Sequence, residues 1–181
     1  MDVQARRLLV LFASQHNRST PVATSAPVNS IAASPLPTTP SARPRTGQSM
    51  SGAEIIVQVL ADEGVDIIFG YSGGAILPTY DAIFRHNDEQ SKLAAGARPM
   101  PLIVPANEQG AGFMAAGYAR ASGKVGVCVV TSGPGATNTV TPVRDCTADS
   151  IPIVVICGQV GTSAIGTDAF QEAPVSNIMG S

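Results

Sequence analysis

From residue 51 onward, apolar residues recur with two alternating periods, one helical and one strand-like. Ser51 is followed three residues later by Glu54, and then by Ile55, Ile56, Val59 and Leu60, a capping pair ahead of apolar positions at helical spacing. Gly64 closes that helix, and residues 65–70 are a short apolar run suited to a buried strand. Tyr71-Ser72-Gly73-Gly74 forms a loop into a second helix ending near His86, and the Pro, Gly and polar segment 87–100 reads as a loop. The cycle then repeats. Residues 102–105 are a strand, 108–122 a helix rich in Ala and Gly, and 125–131 a nearly uninterrupted apolar strand. Ser132-Gly133-Pro134-Gly135 is a tight glycine loop before a helix running to about Thr147, and residues 153–157 are the next strand.

Strands without polar alternation, separated by helices of about 10 to 15 residues, predict an α/β fold: a doubly wound parallel sheet with helices on both faces. Such sheets bind ligands beyond the carboxyl ends of their strands. Three loops lie at that edge, residues 71–74, 106–110 and 132–138.

Residues 1–50 have a different composition. They are rich in Ser, Thr, Pro and Ala, and carry Arg6, Arg7, Arg18, Arg43 and Arg45 against the single acid Asp2. Too little apolar surface is present to fold alone, so the segment is expected to be a disordered leader, with a domain over 51–181. An organelle transit peptide, an unstructured leader and an extension upstream of a start at Met50 all fit this composition. The corresponding locations are plastid or mitochondrion in the first case and cytoplasm otherwise.

From Met50 on, six bases face twelve acids, with no basic stripe, which argues against a nucleic-acid partner. No apolar stretch approaches the roughly 18 residues of a membrane span, so no membrane association is expected. Cys128, Cys146 and Cys157 are an odd number without metal-ligand spacing, two of them inside apolar runs. They read as reduced core residues, and no metal site is predicted on this chain.

The glycine loops match neither the P-loop nor the dinucleotide fingerprint, and alone they are adequately explained as turns. Glu108 carries more information, because it opens a helix directly after a strand with no Lys or Arg nearer than Arg120. One reading is a first-turn acid stabilised by the helix dipole, worth about 0.3 to 1 kcal/mol. The other is a partly desolvated carboxyl at the ligand edge, able to share a proton with a bound heterocycle. Spacing alone favours the first.

A resemblance favours the second. The runs Gly70-Tyr71-Ser72-Gly73-Gly74-Ala75-Ile76-Leu77-Pro78, Asn107-Glu108-Gln109-Gly110-Ala111-Gly112 and Thr131-Ser132-Gly133-Pro134-Gly135-Ala136-Thr137-Asn138 resemble motifs of the acetolactate synthase large subunit, a thiamine-diphosphate enzyme. Ser150-Ile151-Pro152, Gly158-Gln159-Val160 and Gly166-Thr167-Asp168-Ala169-Phe170-Gln171-Glu172 continue the likeness in family order, from about Ser51 to the end. The resemblance implies the pyrimidine-binding domain of that enzyme, with Glu108 hydrogen-bonded to the pyrimidine N1′ of thiamine diphosphate as the catalytic proton relay. It implies Tyr71, Gly73, Gly74, Gln109, Ser132 and Asn138 as cofactor-binding residues, and Ala75, Pro152, Phe170 and Gln171 along the substrate channel. Three positions depart from the family pattern: Asn107 stands for the usual His, Ser72 for the usual Pro of the first loop, and Gly161 for the Pro after Val160. The glutamate itself argues against glyoxylate carboligase, a relative that lacks it.

The family's Gly-Asp-Gly and Asn motif, which holds Mg2+ and the diphosphate, does not occur here, nor does the central FAD-binding domain. The chain is therefore expected to be an amino-terminal part that is not competent alone. The whole enzyme would be a homodimer with the cofactor at the subunit interface and a possible regulatory small subunit. It would condense pyruvate with a second 2-oxo acid in branched-chain amino-acid biosynthesis. Two alternatives stay open at this point: a non-catalytic module of the same fold, and a related enzyme such as pyruvate oxidase or sulfoacetaldehyde acetyltransferase.

Overall fold

The computed structural model describes residues 9–12, 49–93 and 95–180. Strands β1 (Leu9–Phe12), β2 (Ile68–Tyr71), β3 (Leu102–Ile103), β4 (Gly126–Val130) and β5 (Ile153–Cys157) form one sheet in the order β1-β5-β4-β2-β3. Strands β2 to β5 are mutually parallel, as expected, while β1 runs antiparallel to β5 with Leu9 opposite Cys157 and Phe12 opposite Val154. Among the described residues, six α-helices accompany them: α1 (Gly52–Asp62), α2 (Leu77–Ser91), α3 (Glu108–Ser122), α4 (Pro134–Thr137), α5 (Val140–Asp149) and α6 (Val175–Met179).

β1 corrects one expectation, since it lies inside the leader that was read as disordered. Leu-Val-Leu-Phe is too short to span a membrane but long enough to pair with the open backbone edge of β5. The rest of the leader falls outside the described residues.

Alternate strand residues feed two cores. Ile68, Val127, Val129 and Ile156 pack with Val57 and Leu60 of α1 and with Tyr80 and Ile83 of α2. On the opposite face, Phe69, Cys128, Val130, Val155 and Cys157 pack with Ala111, Ala115, Ala116 and Ala119 of α3 and Cys146 of α5. Small residues on α3 let it lie almost on the sheet, and a Cβ added to Gly126 would stand 2.2 Å from the Ala115 carbonyl oxygen. At the amino edge, Tyr118 and Lys124 both donate to the Asp66 carboxylate. Burial pushes that carboxyl up, but the bonds from Lys124 and Tyr118 outweigh it and hold it below its ordinary value.

Local chemistry sets most boundaries. The Ser51 hydroxyl accepts the Glu54 amide at 3.3 Å while Glu54 accepts the Ser51 amide at 2.7 Å, closing the expected capping box. Helix α2 runs one turn beyond the expected end near His86, because Asn87 exchanges two hydrogen bonds, of 2.9 and 2.7 Å, with the Met100 backbone. The helix expected through Thr147 is divided at residues 138–139. Pro142 has no amide to give the Asn138 carbonyl, so it is accommodated only in the first turn of a new helix.

Candidate functional site

The connection after β2 leads outward to β3, whereas the one after β4 leads the opposite way to β5, so the crevice between β2 and β4 is a switch point of the sheet. The two glycine loops meet there across Thr131. A Cβ on Gly73 would lie 2.5 Å from Thr131 Cγ2, and one on Gly135 would also lie 2.5 Å from that methyl. Only glycine lets both backbones close on the same side chain.

Glu108 enters this crevice from the start of α3. Asn107, extended at φ −162° and ψ 172°, caps that helix by accepting the Gly110 amide at 2.8 Å. The residue that replaces the family's histidine therefore has a structural duty of its own. Asn107→Ala is expected to cost about 1 kcal/mol, read by denaturant unfolding of the purified chain.

The Glu108 side chain is buried, and among the described residues it is the only charged one that is. Asn138 Nδ2 donates to Glu108 Oε2 at 2.9 Å, and a Cβ on Gly135 would stand 3.6 Å from Oε1. The carboxylate is thus oriented by one amide and faced by a loop that has no side chain at position 135. Its charge reaches into the core. Burial first, then the neighbouring Glu108 and Cys157, push the Cys128 thiol up to about 12. Burial also pushes Cys157 up to about 11, and burial with Cys128 and Glu108 raises the Tyr80 hydroxyl. All three cysteines are buried and form no disulfide, and at neutral pH Cys128 and Cys157 remain thiols.

Several residues implicated by sequence converge on this place. Ser132 is buried beside Thr131, Gly73 packs on Thr131, and Asn138 reaches Glu108. Tyr71 ends β2, and around Gly74 the space a Cβ would enter is open. Gln109 is exposed on the first turn of α3. Ala75 lies at the carboxyl end of β5, where a Cβ on Gly158 would be 2.9 Å from it. Gln171, left-handed at φ 57°, crosses Gly133 so closely that a Cβ there would sit 2.3 Å from the Gln171 carbonyl oxygen. Phe170 beside it is 87% exposed.

Pro152 stands apart from them. It precedes β5, and its carbonyl accepts the Gly126 amide at 3.1 Å at the amino ends of the strands, the edge opposite Glu108. The length of β5 separates it from Gly158.

Sequence reasoning missed Thr131 as a site residue. It is 4% exposed and its Oγ1 has no hydrogen-bond partner, an uncommon condition for a buried hydroxyl. A lone polar residue closing an apolar strand at the ligand edge was the available signal. An orphaned hydroxyl, a buried carboxylate and side-chain-free backbone at Gly73, Gly74 and Gly135 fit a flat, nitrogen-bearing heterocycle such as an aminopyrimidine. No cluster of three or more His, Cys, Asp or Glu able to hold a metal ion occurs among the described residues.

Comparison with known proteins agrees with this chemistry. Residues 50–179 match the family model described as thiamine pyrophosphate enzyme, N-terminal TPP binding domain. The mitochondrial acetolactate synthase catalytic subunit of Saccharomyces cerevisiae is 57% identical over 129 residues, covering 71% of this chain and 17% of that protein. The acetolactate synthase large subunit of Lactococcus lactis is 53% identical over 128 residues, covering 71% and 20%. That of Corynebacterium glutamicum is 46% identical over 146 residues, covering 80% and 22%. The chain spans about a fifth of the length of these curated relatives.

Proposed function

Because the chain belongs to the thiamine pyrophosphate enzyme family, as its N-terminal TPP binding domain, we propose that it supplies the pyrimidine-binding, proton-handling part of an acetolactate synthase. The observation that carries this reading is Glu108, buried at the switch point with Asn138 holding one of its oxygens at 2.9 Å. The whole enzyme would decarboxylate pyruvate and join the remaining two-carbon unit to a second 2-oxo acid. When bound, thiamine diphosphate supplies the nucleophilic carbon and the electron sink.

The chain's own residues do the positioning. Glu108 holds a proton at the pyrimidine N1′, and Asn138 fixes the plane of that carboxyl. Gly73 and Gly135 let the two cofactor loops close on Thr131, Gly74 leaves open space beside them, and Tyr71, Gln109 and Ser132 border the same loops. Ala75, Phe170 and Gln171 line the side from which the 2-oxo acid arrives. Mg2+, the diphosphate and FAD fall to the parts of the family enzymes that this chain does not match. A homodimer that completes the site, with a regulatory small subunit, belongs to the same reading.

No helix among the described residues is long and apolar enough to cross a membrane. The Arg- and Ser-rich leader suits import into a mitochondrion or plastid, with the cytoplasm as the location if it is not a transit peptide.

Titration calorimetry with thiamine diphosphate and Mg2+ tests the proposal on the 181-residue chain and on any longer product of the gene. The longer product is expected to bind both and to form acetolactate from pyruvate, and the short chain to show no turnover. A folded longer product that binds no cofactor would leave only a non-catalytic module.

A further inference from the structure

Thr131 is the strongest unexplained feature of the molecule. Its hydroxyl is buried without a partner, although Thr79, Ser132 and Thr139 show that the fold buries other hydroxyls readily. Thr139 satisfies its own by donating to the Ala136 carbonyl at 2.6 Å. A buried hydroxyl left unpaired costs about 1 to 3 kcal/mol, and valine, of the same shape, would avoid that cost. The chain keeps threonine where valine would make the folded protein more stable.

Its surroundings indicate what the hydroxyl is for. Thr131 continues β4, one residue beyond its last paired position, between the loop that follows β2 and the loop that follows β4. A Cβ on Gly73 would stand 2.7 Å from Oγ1, and one on Gly135 would stand 2.5 Å from the Thr131 methyl and 3.6 Å from Glu108 Oε1. The side chain therefore touches both glycine loops, the second of which also approaches the carboxylate. Gly74, next along the loop, opens onto free space.

We propose that Thr131 is a positioning residue for the bound heterocycle: its hydroxyl is held in reserve behind the first glycine loop and finds a backbone partner in residues 72–74 when that loop settles on the ring. The inference rests on the cofactor reading above and adds a residue that the family resemblance did not supply. Binding then includes a hydrogen bond absent from the free protein, and the strain of the orphan hydroxyl becomes part of the affinity.

The test is a pair of substitutions in a longer product of the gene that carries this domain together with the diphosphate-holding part, with the unfolding midpoint of the cofactor-free protein and the dissociation constant for thiamine diphosphate with Mg2+ as readouts. Thr131→Val is expected to unfold at the same or a higher temperature while binding about tenfold more weakly, the effect of one lost hydrogen bond. Thr131→Ser keeps the hydroxyl and loses the methyl, so it should do the reverse: a lower midpoint with affinity near the parent's. A merely structural threonine would move both quantities in one direction. Equal affinity of Thr131→Val and parent overturns the proposal, as does a Thr131→Val protein that fails to fold, or a Thr131→Ser protein that binds as weakly as the valine variant. If the parent itself does not bind, the cofactor reading fails instead, and the two failures are told apart.

Discussion

Glu108→Gln, placed in a complete enzyme carrying this domain, is expected to slow exchange of the thiamine C2 proton by about 10² to 10⁴, the usual contribution of a positioned proton relay. Glutamine keeps the size of the side chain and one accepting oxygen. Asn138 donates to Oε2, so the substituted side chain satisfies that bond with its remaining oxygen and turns its NH2 toward the crevice. An amide there donates a hydrogen bond but gives up no proton, so packing survives and the relay does not. The measurement is deuterium exchange at C2 followed by NMR on enzyme-bound cofactor, with pyruvate affinity as a control that should change little. Exchange as fast as in the parent would reduce Glu108 to a first-turn carboxylate worth about 0.3 to 1 kcal/mol.

The largest loss of stability is expected from Gly126→Ala, far from the carboxylate. Its Cβ would stand 2.2 Å from the Ala115 carbonyl oxygen and 2.7 Å from the carbonyl carbon, so the obstacle is main chain and cannot rotate away. Relief requires α3 to lift from β4 along the core built from Ala111, Ala115, Ala116 and Ala119. Overpacking of this kind costs about 3 kcal/mol at the upper end of its usual range. In a domain of this size that lowers the unfolding midpoint by roughly 10 °C. Gly117→Ala, on the same helix with nothing within 4 Å of the added carbon, serves as the control. It should gain about 0.5 to 1 kcal/mol. Equal midpoints for the two variants would show that the helix floats more freely on the sheet than its contacts imply.

The contrast between these glycines marks what a sequence can disclose. Ser51 and Glu54 announce their helix because capping is settled within four residues. The limits of α3 and β5 were legible because Glu108 and Gly123, and Ile153 and Cys157, change the period of the pattern where the elements change. The end of α2 was not, since it depends on Asn87 meeting Met100 thirteen positions later. Pro142 did carry a local signal for the division of α4 from α5, and it was read through as ordinary helix. In the site, the structure brings Glu108 and Asn138, named by motif likeness, into hydrogen-bond contact, while Pro152 lies at the opposite edge of the sheet and the unpartnered Thr131 hydroxyl drew no notice. Strand direction and the neighbours of a buried hydroxyl belong to the assembled sheet.

The crossing of Gln171 over Gly133 carries a lesson for redesign. Residue 133 belongs to the same glycine loop as Ser132 and Gly135, and under the proposed roles residue 171 belongs to the entrance for the acid, yet their main chains share a single seat at φ 52° and φ 57°. Tilting one backbone tilts the other. Acceptor preference is therefore adjustable through the side chains of Phe170 and Gln171, whereas any attempt to reshape the entrance by moving its backbone would disturb ring placement along with it.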